Sequence, residues 1–126
     1  METRKDKGKK GEELAAKFLC KNGYTILERN FRLKLGEIDL VCKKSNTIVF
    51  VEVKTRKNLK FGFPEESVDL RKRAKLNQVA SVYISRLSEL QPALTEVNLD
   101  YRFDIVSIIM DFEGKVNSIK LIENAF

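Results

Sequence analysis

Residues 36–56 read GEIDLVCKKSNTIVFVEVKTR, and both apolar runs in this stretch carry acids among large aliphatic side chains. The pattern predicts strands over Glu37–Lys43 and Thr47–Lys54, joined by a turn at Lys44, Ser45 and Asn46. Strand alternation sets Glu37, Asp39 and Val41 on one face and Ile38, Leu40 and Cys42 on the other. In the next strand Phe50, Glu52 and Lys54 share a face opposite Val49, Val51 and Val53. A turn centred between Ser45 and Asn46 pairs residues whose numbers add to 91, so Asp39 stands across from Glu52. Opposed β-carbons lie about 4.5–5.5 Å apart, where two like charges destabilise the pair unless one is protonated or a cation lies between them. A divalent ion resolves this, and two carboxylates completed by waters and substrate oxygens suit Mg²⁺ or Mn²⁺. Lys54, on the face of Glu52, is placed to orient an attacking water or to stabilise charge developing on a phosphate. The spacing equally fits an ordinary polar sheet face in which Glu52 and Lys54 pair with neighbours. Acids inside IVFVEV favour function.

Working outward, Leu14, Ala15, Phe18 and Leu19 recur at helical spacing over residues 8–22, with Gly23 as a left-handed stop. Tyr24–Asn30 reads as a strand. A second helix begins near Glu66 or Asp69, carries Leu76, Val79, Ala80, Tyr83 and Leu87 on one stripe, and ends at about Leu90 before Pro92. Residues 91–99 read as loop, Phe103–Phe112 as an Ile/Val-rich strand and Val116–Ile122 as its hairpin partner. The order α-β-β-β-α-β-β implies an α/β fold with a mixed sheet flanked by two helices. A length of 126 residues with no internal repeat or linker implies one domain, 1–126, with a basic N-terminal segment at 1–10.

The chain lacks histidine, which excludes Ser/His/Asp and Cys/His nucleophilic machinery and imidazole-based zinc sites. Any catalysis must rest on carboxylates, lysines, tyrosines or a hard metal ion. Cys20 and Cys42 lie in apolar stretches without CxxC spacing and read as reduced core residues. Net charge is +6, and its excess is concentrated: residues 1–10 hold five basic against two acidic residues, and residues 54–75 hold eight against three. A polyanion is the natural partner, with solubility charge on a solvated face as the bland alternative. No apolar run reaches the ~18 residues of a membrane span and no signal-peptide region is evident, so no membrane partner and a cytoplasmic location are expected.

GEIDLV and FVEVKTR, with Asn30 and Arg32 before them and RFDIV at 102–106 after them, resemble the bacterial YraN-type family, a largely uncharacterised group. That family is similar in pattern to archaeal Holliday-junction resolvases of the PD-(D/E)XK, restriction-endonuclease-like superfamily. The resemblance runs from about Gly8 to Val106 and implies that Asp39 stands at the metal-binding aspartate, with Glu52 and Lys54 at the ExK pair. It further implies an acid on the first helix, which Glu12 matches better than Glu13. Helical spacing sets Glu12 beside Ala15, Ala16 and Leu19, although a first-turn acid favoured by the helix dipole is equally consistent. Glu37 also matches the motif, as a direct ligand or as a partner of one. Ile38 stands where the wider pattern has proline. Lys72 matches a lysine of this family near the cleft, and Asp104 fits a hydrogen-bonding role or a strand-end cap.

The resulting expectation is Mg²⁺- or Mn²⁺-dependent hydrolysis of phosphodiester bonds in DNA, branched or flapped DNA included. Asp39, Glu52 and Lys54 would be catalytic, with Asp39, Glu52, Glu12 and Glu37 around the metal. Arg32, Arg56, Lys57, Lys60 and Lys72 would contact phosphates, giving affinity without sequence readout. A non-catalytic nucleic-acid-binding module, a subunit active only with a partner, and an RNA-processing nuclease stay open, as does a homodimer.

Overall fold

A pair of strands whose side chains are Leu40, Cys42, Val49, Val51 and Val53 on one side and Val41, Ile48 and Phe50 on the other needs cover on both faces, and the chain supplies one long helix for each. A computed structural model describes residues 4–57, 69–95 and 100–125. In chain order the elements are α1 (Arg4–Lys21), β1 (Thr25–Leu33), β2 (Gly36–Lys44), β3 (Thr47–Arg56), α2 (Leu70–Leu90), a single turn α3 (Pro92–Thr95), β4 (Asp100–Met110) and β5 (Val116–Ile122). The five strands form one sheet in sequence order, antiparallel throughout except for the parallel β3–β4 pair that α2 connects. The expected mixed α/β sheet between two helices is thus what forms. No helix among the described residues is long and apolar enough to cross a membrane.

Each helix covers one face. Ala15, Ala16 and Leu19 of α1 pack on Leu40, Cys42, Val49, Val51, Val106 and Ile108, while Leu76, Val79, Ala80, Tyr83 and Leu87 of α2 pack on Ile38, Val41, Ile48, Phe50 and Phe103. Tyr83 meets Phe31 and Phe50 edge-on, with ring centroids 5.1 and 5.9 Å apart. Asp69 caps α2, its Oδ1 accepting from the Lys72 N–H at 2.9 Å.

Several boundaries differ from the sequence expectation. The first helix starts at Arg4 because Lys and Arg are good helix formers that outweigh Gly8 and Gly11. The fourth strand stops at Met110, where Asp111 Oδ1 accepts from the Glu113 and Lys115 N–H groups at 2.9 and 2.8 Å and turns the chain. Cys42 is buried and its thiol is pushed up to about 12 by burial, but Cys20 is exposed on α1 and is no core residue. Pro92, expected only to end the helix, opens the short α3 within the segment read as loop.

The largest departure lies in β2. Ile38 packs on the α2 side while Leu40, two residues on, packs on the α1 side, so the alternation slips at Asp39. The neighbouring strand slips with it. Arg29, paired to Leu40, reaches Glu13 of α1, whereas Phe31, paired to Ile38, reaches Tyr83 of α2. Asn30 between them has φ 54°, a left-handed conformation that asparagine tolerates better than most residues. Glu37, Asp39 and Val41 therefore do not share a face.

Close approach of α1 depends on Gly11, where an added Cβ would lie 2.6 Å from Thr55 Oγ1 on β3. Gly11→Ala should destabilise the fold by about 1–3 kcal/mol through overpacking. Adding Thr55→Ala should restore most of that loss in denaturant melts. Equal stability of Gly11→Ala and wild type would mean that α1 is not seated by this contact.

Candidate active site at the fork between two strands

The β2–β3 ladder runs from Lys44↔Thr47 to Leu40↔Val51 in the register expected from the turn, and Ser45 takes φ 52° to close it. Beyond Leu40 the strands part because Asp39 has turned its side chain between them. Its Oδ2 accepts from the Val53 N–H at 2.8 Å. The Asp39 carboxylate thus takes a main-chain donor of β3 at the fork. The main chain of Asp39 in turn favours the ionised form of Glu52.

Glu52 is 5% exposed, and its Oε1 has no hydrogen-bond partner among the described residues. Its Oε2 lies 3.8 Å from Lys72 Nζ, the α2 lysine. Lys54, two residues along the same face, adjoins Lys72, Glu52 and Asp39. Burial pushes Glu52 up to about 8, with the Asp39 charge adding to it and Lys72 and Lys54 opposing. Burial pulls Lys54 down to about 8, and the adjacent Lys72 lowers it further against the attraction of Glu52 and Asp39. Asp39 is raised by burial, which the Val53 hydrogen bond opposes and the Glu37 charge assists.

On the α1 side of the fork stand Glu12 and Glu37. Each offers a carboxylate oxygen within 4.8 Å of the other and of one from Asp39. Two oxygens on one divalent ion, at about 2.0–2.6 Å each, are separated by no more than about 4–5 Å, so the donor set fits a hard cation. Asn30, with its amide nitrogen turned to the acids, donates to Glu12 at 3.1 and 3.2 Å and to Glu37 at 2.9 Å. Arg32 binds Glu37 Oε2 through Nη2 at 3.1 Å and Nε at 3.3 Å. Glu12 is raised by burial and by Asp39, with the Asn30 hydrogen bond opposing. Glu13 points away and pairs with Arg29, so the helix register sets Glu12, not Glu13, toward the acids.

The slip at Asp39 leaves it next to charged groups on both sheet faces, although only Glu12 and Glu37 join it within 4.8 Å and Glu52 lies outside that cluster. Glu52, Lys54 and Lys72 approach from the α2 side, Glu12 and Glu37 from the α1 side, and Asp39 lies between them. A cleft of about 600 Å³ opens from Glu12 and Asp39 past Val53, Arg56 and Lys57. Arg56 and Lys57 therefore border the site, while Arg32 is engaged with Glu37. Lys60 lies outside the described residues, as does the middle of the basic stretch at 54–75.

Asp104 belongs elsewhere. It is fully buried and binds Arg102 Nε at 3.0 Å, the Tyr24 hydroxyl at 3.4 Å and the Asn124 N–H at 2.9 Å, tying β4 to the chain's C-terminal turn and to the start of β1. Sequence reasoning did not assign Gly11 or Thr55, and it met Asn30 only as part of a motif. The available signal was an asparagine, a residue that tolerates left-handed φ, at the end of the expected strand Tyr24–Asn30.

Residues 11–108 match the family described as "Uncharacterised protein family UPF0102". A UPF0102 protein of Caldicellulosiruptor saccharolyticus is 49% identical over 123 residues, covering 98% of each chain. One from Dictyoglomus thermophilum is 42% identical over 122 residues, 97% of this chain and 98% of its own.

Proposed function

The chain belongs to the uncharacterised protein family UPF0102, and from its carboxylate fork we propose that it is a metal-dependent nuclease that hydrolyses phosphodiester bonds, in DNA before RNA. The observation that carries this reading is the buried Glu52 Oε1 without a partner, beside Asp39 and Lys54. A buried carboxylate oxygen left without a donor is costly, and proteins keep such groups where a ligand completes them. Asp39, Glu12, Glu37 and Glu52 are the residues that would hold Mg²⁺ or Mn²⁺. Such an ion, when bound, supplies Lewis-acid polarisation of a phosphoryl oxygen and a more acidic water.

The chain's own residues do the rest. The main-chain N–H of Val53 fixes the Asp39 carboxylate in place. Lys72 sets the orientation of Glu52. Lys54 Nζ, with its pKa drawn down to about 8, can hold or release a proton near neutral pH beside the scissile phosphate, or offset charge there. Arg56 and Lys57 at the cleft bind backbone phosphates.

The test is a cleavage panel of duplex, single-stranded, flapped and four-way DNA and of RNA, with Mg²⁺, Mn²⁺ or EDTA. Metal-dependent products are expected, and binding without cutting under every condition would replace the enzyme with a binding module. Binding itself should be electrostatic, with a log-log salt slope of roughly −0.9 per phosphate neutralised on duplex DNA. Lys57→Glu should weaken binding to all sequences about equally. A salt-independent affinity would return the basic residues to a solubility role.

A further inference from the structure

Phe112 is 77% exposed and lines the same cleft as Gly8, Glu12, Asp39, Arg56 and Lys57. A lone exposed ring is common on protein surfaces, so exposure alone assigns it nothing. The turn that carries it, however, is fixed from two directions. The Asp111 N–H donates to the Lys115 carbonyl at 2.8 Å, the Asp111 carbonyl accepts from the Gly114 N–H at 3.1 Å, and Asp111 Oδ1 takes the Glu113 and Lys115 N–H groups. Gly114 closes this turn with φ 83°. From α1, Lys10 Nζ donates to the Gly114 carbonyl at 3.3 Å. The turn carrying Phe112 is thereby tied to the helix carrying Glu12. The ring thus stands on a braced turn in a cleft lined by the acids Glu12, Asp39 and Glu113 and by the cations Arg56 and Lys57.

We propose that Phe112 is a stacking platform for an unpaired base, which makes single-stranded or frayed nucleic acid the substrate class of this cleft. This deepens the nuclease reading and rests on it for the presence of nucleic acid in the cleft. Bases inside a duplex hide their faces in their own stack and expose only edges, whereas an unpaired base offers a π-face that an aromatic side chain can take. The charges agree with this orientation. Arg56 and Lys57 at the end of β3 attract phosphate while Glu12, Asp39 and Glu113 of the same lining repel it, so the backbone follows the β3 end and the base is left to reach the ring. The cleft volume of about 600 Å³ falls in the range of roughly 300–1,000 Å³ typical of pockets for small ligands, a size suited to individual nucleotides.

The experiment measures anisotropy of a labelled 12-mer single strand and of the same sequence as a duplex, in Ca²⁺ and in EDTA, for wild type, Phe112→Ala and Phe112→Tyr. A second readout follows quenching of 2-aminopurine placed along the single strand. Wild type should prefer the single strand. Phe112→Ala should lose about 5- to 150-fold on it, the equivalent of about 1–3 kcal/mol per stacked base, with less than a twofold change on duplex. The quenching should disappear in Phe112→Ala and persist in Phe112→Tyr. Phe112→Ala binding the single strand within twofold of wild type overturns the proposal. So does an equal loss on both forms, or no binding of wild type to the single strand in either condition. Because the readout is binding, a chain that stacks the base yet never cuts sinks the nuclease reading and leaves this one standing.

Discussion

Glu52→Gln is expected to keep the fold and nucleic-acid binding while lowering metal-dependent cleavage by at least about 10²- to 10³-fold, the scale of losing one preorganised charge-stabilising group. Glutamine preserves the shape of a side chain that is 5% exposed. What disappears is the negative charge between Asp39 and Lys54, and with it the oxygen free to take a cation. Lys54→Ala should slow turnover by a similar factor without weakening metal affinity. Metal titration followed by calorimetry separates the two variants. If rigorously purified Glu52→Gln cuts as fast as wild type, the fork is a structural brace and not a catalytic centre.

The second large effect is on metal-free stability. An acid whose pKa is higher in the folded than in the unfolded chain holds its proton more tightly when folded. Its stabilising contribution is complete below the unfolded value and is lost as pH rises through the folded one. For Glu52 that window runs from 4.5 to about 8. Glu12 and Asp39 are raised as well, chiefly by burial, and act in the same direction. Lys54 is lowered from 10.5 to about 8, so its own penalty develops as pH falls through that higher window and is nearly constant below it. Between pH 5 and pH 8 the metal-free chain should therefore lose on the order of 2–3 kcal/mol, or roughly 10 °C in Tm. Glu52→Gln should flatten the profile and melt above wild type at pH 8. Added Mg²⁺ or Mn²⁺ should stabilise wild type more at pH 8 than at pH 5, because the ion binds ionised carboxylates of the folded chain. A metal-free Tm independent of pH across this range would mean that the acids are already neutralised within the protein.

Much of this molecule was legible in the chain because its signals are local. Apolar periodicity located both long helices and all five strands, the Ser45–Asn46 turn fixed the β2–β3 register, and acids inside the aliphatic run at 48–53 marked the fork. The family resemblance preferred Glu12 to Glu13, and helical spacing set Glu12 on the stripe of Ala15, Ala16 and Leu19 that faces the sheet. The slip at Asp39 was not legible. Period-2 alternation assumes an extended backbone at every residue, and it fails where Asn30 adopts φ 54° and Asp39 exchanges its ladder carbonyl for a side-chain oxygen. That exchange becomes favourable only when β1, β2 and β3 are side by side, because Val53, which supplies the donor, is 14 residues away in sequence. The same holds for Gly11 against Thr55 and for Lys72 against Glu52, contacts between residues 44 and 20 positions apart that exist only once the helices dock. Sequence by itself determined which residues carry the charge and on which elements they lie. Only tertiary packing decided that Asp39 stands within reach of Glu12 and Glu37 on one side and beside Glu52 on the other, because that requires a backbone irregularity offset by a hydrogen bond from a neighbouring strand.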